Sequence, residues 1–316
     1  MHAFVTKPLD WFSIQLARLS VHSGNGTDEH VTAAQSLLDH PDFFCDFVEA
    51  PRDMRFLSER EFTYSSALGT PWRENNVVHG RLFRSRARWQ DKPTIILLHG
   101  WNAETGYRVL FPYLARRLIR AGVNVAMIEL PYHCQRKPRG TDAIRNFLSD
   151  DLERVVEATR QAIADTRAML AWLSAQGCSR VGLWGISLGA WLSGLVACAD
   201  GRTNFAVLMT PVSRMDRVIA ELDFCEPIRR RLNDSNIRLD RLNLVAHRPR
   251  PSPHEILIIQ SAHDLFAPAE TIEELWRAWD EPEMWRLAHG HISILMSAPM
   301  MERTVNWVAR HARSQT

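Results

Sequence analysis

The sequence predicts an α/β protein with a mostly parallel central sheet, and three observations lead there. Short apolar runs alternate along the chain with stretches of helical periodicity. A glycine-flanked serine, Gly185-Ile186-Ser187-Leu188-Gly189, stands where one apolar run gives way to an apolar helical stretch. An aspartate and a histidine then follow the last two apolar runs.

Residues 1–60 mix short amphipathic pieces with Pro51 and several acidic residues, and read as helices and loops ahead of the sheet. Segments 61–68 and 77–86 alternate apolar and polar residues around turn chemistry at 71–76, which predicts an antiparallel pair. The run TIILLH, 94–99, has the continuous apolar character of a strand covered on both faces. A helix is expected over 106–120 and a strand over 124–130. The next helix should span 150–176: Ser149 can cap it, Asp150 and Asp151 suit its positive end, and Gly177 can stop it. Leu152, Val155, Val156, Ile163, Leu170 and Leu173 make one apolar stripe along it. Strands at 180–184, 204–209, 255–260 and 283–288, with helices at 188–198, 269–279 and 299–311, complete the alternation. Such sheets carry ligand chemistry at their strand ends. Residues 181–199 hold no charge and approach the length of a spanning helix. Gly182, Gly185 and Gly189 divide them into strand, turn and helix instead, so no membrane insertion is expected.

Composition narrows the function. The chain has 316 residues, 46% hydrophobic and 23% charged, as an ordinary globular protein does. A net charge of +2 makes no bulk electrostatic case for nucleic acid or an anionic membrane as partner. Cys45, Cys134, Cys178, Cys198 and Cys225 are scattered without a CxxC pair, which suggests neither a disulfide framework nor a zinc site. The first twenty or so residues lack a long apolar core and a small-residue cleavage site, so a cytoplasmic location is expected.

The chemistry-bearing residues stand in the order Ser187, Asp264, His291. A serine can form an acyl-enzyme, an imidazole can take and return its proton, and a carboxylate can hold the tautomer and stabilise the imidazolium. The backbone N–H groups of Leu188 and Trp101 are the expected oxyanion donors, with Asn102 the alternative to Trp101. Asp216 is a rival acid and His289 a rival histidine; Asp264 precedes Pro268, and the Gly290-His291 order favours His291. His289 and His291 could offer two metal ligands, but no third stands at a suitable spacing, so neither metal nor cofactor is expected. The loop PYHCQRKPRG, 131–140, follows a strand, and Tyr132 and His133 are expected to line a pocket, a solvated basic loop being the competing reading. Cys134 reads as a small residue there, and Asp165 and Arg167 as surface or supporting pairs. A long insertion, 210–254, carries an amphipathic stretch with Val218, Ile219, Leu222 and Phe224, and is expected to form a lid whose Phe224 touches substrate. Its arginines read as a solvated face, with an anionic substrate the alternative.

From about residue 61 onward the chain resembles the α/β-hydrolase superfamily, on the elbow at Ser187 and the later acid and histidine. The stretches ENNVVHGRLF, LHGWNAETGY, ELPYHCQRKPRG, RQAIADTRAMLAWL and WGISLGAW are similar to bacterial hydrolases related to the abhydrolase-domain-containing group. The resemblance implies the α/β-hydrolase fold, a mostly parallel sheet of about eight strands flanked by helices. It implies a catalytic domain over 61–316, with 1–60 as helical extension and 210–254 as cap. It further implies metal-free hydrolysis of a small-molecule acyl ester. Amide or peptide hydrolysis, acyl transfer, and ligand binding without turnover on the same scaffold are the alternatives. No feature of the sequence specifies an oligomeric state.

Overall fold

The computed structural model describes residues 3–20, 26–85, 87–140, 147–233 and 235–313. Among them one sheet has nine strands: β1 (Arg55–Phe56), β2 (Glu61–Ser65), β3 (Val77–Phe83), β4 (Thr94–Leu98), β5 (Asn124–Ile128), β6 (Val181–Ile186), β7 (Thr203–Met209), β8 (Ile256–Ser261) and β9 (Glu283–Leu287). Their spatial order is β1-β2-β3-β5-β4-β6-β7-β8-β9. The first strands pair antiparallel up to the β3–β5 contact, and from β5 to β9 every pairing is parallel. The strand beyond the expected number is β1, an edge pair too short to show an alternating pattern. Position 86, the expected end of β3, lies outside the described residues.

Every residue of β4, β5, β6 and β8 is buried, because helices cover both faces. One face packs against α4 (Leu152–Ala175), α5 (Leu188–Ala199) and α8 (Ala269–Ala278); the other against α3 (Phe111–Arg120) and α9 (Ala298–Ala312). Residues 181–199 are thus β6, a turn and α5, and no helix among the described residues is long and apolar enough to cross a membrane.

Helix α4 differs from expectation in two respects. Its N-cap is Asp151, whose carboxylate accepts the Arg154 N–H at 3.1 Å, while Ser149 accepts the Asp151 N–H at 3.3 Å. It is also buried nearly all round, since α2 (Asp28–Asp39) packs along it. Asp165 and Arg167 are consequently not surface groups. Asp165 pairs with Arg136 at 2.8 Å and Arg167 with Asp200 at 3.1 Å, both inside the protein.

The region 210–254 carries α6 (Met215–Glu221) and α7 (Glu226–Asn233), then short turns that lead into β8. Its apolar residues find their partner on α4 and α5: Met215, Ile219 and Ile228 face Leu152, Val156, Leu188 and Trp191 around a cavity of about 40 Å³. Its arginines are engaged with the chain itself. Arg229 donates to the carbonyls of Ile219 at 2.9 Å and Ala220 at 2.8 Å, and Arg231 to that of Gly26 at 2.5 Å. The remaining helix, α1 (Ala3–Ser20), runs past the end of the sheet where β8 and β9 finish, close to residues 223–225 and 293–296.

Candidate active site

Strand β6 ends at Ile186 and α5 starts at Leu188, leaving Ser187 alone in the turn with φ 56° and ψ −118°. A side chain held there stores roughly 1–3 kcal/mol of backbone strain. The turn is pinned by the Ser187 N–H on the Met209 carbonyl at 2.9 Å and by the Ser187 carbonyl, which accepts from Ala190 at 2.9 Å and Trp191 at 3.0 Å. Gly185 and Gly189 permit it: a Cβ on Gly185 would collide with the Gly189 carbonyl, and one on Gly189 with the Leu98 carbonyl of β4.

Ser187 stands at one end of a hydrogen-bonded chain of three side chains. Its Oγ lies 2.7 Å from His291 Nε2, and His291 Nδ1 lies 2.7 Å from Asp264 Oδ2. Asp264 follows β8, and its second oxygen accepts the N–H groups of Phe266 and Ala267, both at 2.8 Å. Burial opposes protonation of His291, but the charge and hydrogen bond of Asp264, with a smaller contribution from Asp10, raise its pKa above the usual histidine value. The rival residues lie outside this chain of bonds. Asp216 is held by Arg214 at 2.7 and 2.9 Å, and His289 Nδ1 sits 3.4 Å from Ser293 Oγ.

The loop after β4 passes close to the serine: a Cβ on Gly100 would lie 3.4 Å from Ser187 Cβ. Leu188 is the first residue of α5, where an N–H has no acceptor within the helix. The Asn102 N–H, the alternative oxyanion donor, is engaged with His133 Nε2 at 3.3 Å. His133 Nδ1 donates to the Pro131 carbonyl at 2.8 Å. His99 Nδ1 donates to the Gly100 carbonyl at 2.8 Å, and its Nε2 accepts the Leu130 N–H at 3.0 Å. Burial takes His99 down to about 3 and His133 down to about 4, so both rings stay neutral in the one tautomer these bonds require.

The expected pocket role of Tyr132 and His133 is corrected here, because neither side chain lines the cavities at Ser187. Both are buried behind the β4 loop. The cause is Arg136, whose guanidinium donates to the carbonyls of Glu129 at 3.0 Å and Asn75 at 2.7 Å while paired with Asp165. That buried cation draws the whole turn inward. In the same turn, burial and then Glu129 push the Cys134 thiol up to about 12, away from the reactive thiolate form.

Two cavities meet at Ser187 and His291. One, of about 240 Å³, is lined by His99, Trp101, Leu110, Phe111, Ile186 and Leu295 among others. The other, of about 220 Å³, adds Ser13 and Phe266. Phe224 stacks on Trp101 with ring centroids 6.0 Å apart and also meets Phe266, which in turn lies 4.8 Å from the His291 ring. The region 210–254 therefore reaches the aromatic side chains around the site through Phe224, but Phe224 itself, like Tyr132 and His133, lines neither cavity, which corrects its expected contact with substrate. Sequence reading missed Ser13 and Asp10, which sit near the site with no motif around them, and Phe266, which stands in the acid loop two residues after Asp264.

The structure superimposes on an esterase from an Arctic intertidal metagenomic library (TM-score 0.54, 20% identity, 84% of this chain and 100% of that one). It does so equally on an esterase of Pyrococcus furiosus (TM-score 0.54, 16% identity, 84% and 100% covered). The chain has the α/β-hydrolase fold. A family model described as alpha/beta hydrolase domain containing 18 matches residues 73–216 of this chain, which takes in Ser187 and the β4 loop but stops before Asp264 and His291. An uncharacterised protein of Mycobacterium tuberculosis is 27% identical over 243 residues, covering 72% of this chain. The chain spans 55% of that relative's length.

Proposed function

We propose that the protein is a serine hydrolase that cleaves carboxylic esters through an acyl-enzyme on Ser187. The observation that carries this reading is the unbroken chain Ser187 Oγ–His291 Nε2 and His291 Nδ1–Asp264 Oδ2, 2.7 Å at each link. His291 takes the Ser187 proton as Oγ attacks the ester carbonyl, and the resulting oxyanion is held by the N–H groups of Leu188 and Trp101. The C–O bond to the alcohol then breaks, and the alcohol leaves with the proton from His291. Water, deprotonated by the same imidazole, attacks the acyl-enzyme; Ser187 departs with its proton restored and the acid is released. Asp264 stays ionised throughout and stabilises the imidazolium.

The two cavities at Ser187 suit the two halves of such a substrate. The larger, walled by Leu110, Phe111, Ile186 and Leu295, suits the acyl group; the other, with Ser13, suits the alcohol. In this reading the insertion acts as a lid through Phe224 on Trp101. The test is a fluorophosphonate label together with hydrolysis of p-nitrophenyl esters of increasing chain length. Wild-type protein is expected to be labelled and to turn over. Ser187→Ala should lose the label and drop turnover on the order of 10⁴-fold with its fold retained. Equal labelling or turnover in Ser187→Ala refutes the mechanism, and labelling without turnover in the wild type favours a ligand-binding role instead.

A further inference from the structure

Helix α1 turns one face toward the two loops that carry Asp264 and His291. Thr6 and Asp10, one helical turn apart, both lie on that face and both are fully buried. Thr6 Oγ1 sits 2.9 Å from His263 Nδ1, beside Asp264 in the loop after β8. Asp10 does more. One of its oxygens accepts the N–H of His291 at 2.7 Å and the N–H of Leu265 at 3.2 Å, and the other accepts the N–H of Ile292 at 3.0 Å. A single carboxylate therefore ties the backbone of the residue after Asp264 to the backbone of His291 itself.

A second observation shows how closely that carboxylate is fitted. A Cβ built on Gly290 would meet the Asp10 oxygens at 2.8 and 2.9 Å, so the residue before His291 lacks a side chain where Asp10 enters. Burial, and less so the Asp264 charge, push the Asp10 carboxyl above its usual value, but the three N–H donors converging on its two oxygens favour the ionised form, an acceptor without a proton to donate.

We infer that Asp10 is a positioning residue for the serine chemistry, holding the histidine loop and the acid loop in register so that the His291 ring spans Asp264 and Ser187. The inference rests on the serine reading of the site. Without the tie, the His291 loop is free to shift relative to the β8 loop, and a displacement of about 1 Å at the reacting groups costs roughly 10²-fold in rate. Substrate contacts lie elsewhere, so binding should change little. Asp10 also adds negative charge beside His291. Asp264 is the other charged group that faces that ring, and the two loops also carry the titratable His263, bonded to Thr6, and His289, beside Ser293.

The experiment uses the full chain with Asp10→Ala and Asp10→Asn, measuring kcat and KM for p-nitrophenyl acetate, the pH profile of kcat/KM, thermal unfolding, and the downfield proton resonance of His291 Nδ1–H. Asp10→Ala is expected to lower kcat by about 10²-fold with KM within about threefold. It should also move the acid limb of the profile to lower pH and shift or broaden the Nδ1–H resonance. Asp10→Asn, which keeps acceptor oxygen but not the charge, should recover part of kcat without restoring the acid limb. If Asp10→Ala does not fold, Asp10→Asn carries the test through its resonance and its acid limb. A lower melting temperature with kcat, acid limb and resonance unchanged would make Asp10 a purely structural residue and overturn the inference. Should Ser187→Ala retain full activity, the serine reading fails, yet the His291 resonance still reports whether Asp10 sets the Asp264–His291 bond.

Discussion

Replacing Asp264 by Asn changes one atom of the site and should invert the tautomer of His291. In the native arrangement Asp264 Oδ1 accepts two backbone N–H groups at 2.8 Å and Oδ2 faces His291 Nδ1 at 2.7 Å. An Asn amide has a single oxygen, and the two N–H donors from Phe266 and Ala267 claim it. Turning the amide over would set its NH₂ against both donors and leave them unpaired, at about 1–3 kcal/mol each. The NH₂ therefore faces His291 Nδ1, which must offer a lone pair, so the ring proton moves to Nε2 and points at Ser187 Oγ. The base is then lost, and with it the negative charge that stabilises the imidazolium. A loss on the order of 10⁴-fold in kcat is expected, about 5 kcal/mol of transition-state stabilisation. The assay is kcat for p-nitrophenyl acetate in Asp264→Asn and wild type, with circular dichroism and thermal unfolding as controls for the fold. An Asn variant that folds normally and keeps kcat within about tenfold of wild type would refute the tautomer argument.

Two further outcomes are expected. His291 has to be neutral to accept the Ser187 proton, and its pKa is raised despite burial because Asp264 and Asp10 favour the cation, so kcat/KM should fall with an acid limb above the ordinary histidine value of about 6.5. The folded-state pKa lies above the unfolded one, so protonated His291 contributes stability that is complete below the unfolded pKa and disappears as pH rises through the folded value; a melting-temperature comparison with His291→Ala across that window should show the difference shrinking as activity grows. Phe224→Ala removes a side chain that is 5% exposed and stacked on Trp101, which should cost about 3–5 kcal/mol in chemical denaturation and shift the chain-length profile of p-nitrophenyl esters; an unchanged profile in the folded variant would show that Phe224 does not shape the site through Trp101.

What could be read from the chain beforehand was whatever repeats a local physical rule. The runs TIILLH and NVAMIEL became β4 and β5 because strands buried on both faces need uninterrupted apolar sequence. Ser187 was legible because its turn excludes side chains at Gly185 and Gly189, which leaves a pattern in the residues themselves. Burial of charge was not legible. Asp165 and Arg167 look like surface residues until Arg136 arrives from another loop and α2 closes over the helix. The pocket reading of Tyr132 and His133 failed for the same reason, since the pull of Arg136 on their turn depends on a partner far away in the sequence. Ser149 lost the capping position to Asp151 by two residues, a distinction that rests on local backbone angles rather than on residue type.

The site is drawn together by two different kinds of order. Ser187 and His291 are 104 residues apart in sequence, yet a parallel sheet sends the ends of β6, β8 and β9 to one edge, so their following loops meet there whatever their composition. That topology brings the three side chains into one neighbourhood but leaves the loops free to slide by an ångström or more, which is the margin on which proton transfer depends. Registry at that scale needs bonds between loops, and a strand cannot supply them once the ladder has ended. The β8 and β9 loops are bonded directly by the His263 N–H on the His289 carbonyl, at 2.9 Å, two residues short of His291. Asp10 closes the remaining gap from outside the sheet, reaching both Leu265 and His291 from a helix that no strand pairing constrains. Because α1 lies far from both loops in sequence and carries no motif, its part in the site follows only from where its carboxylate ends up.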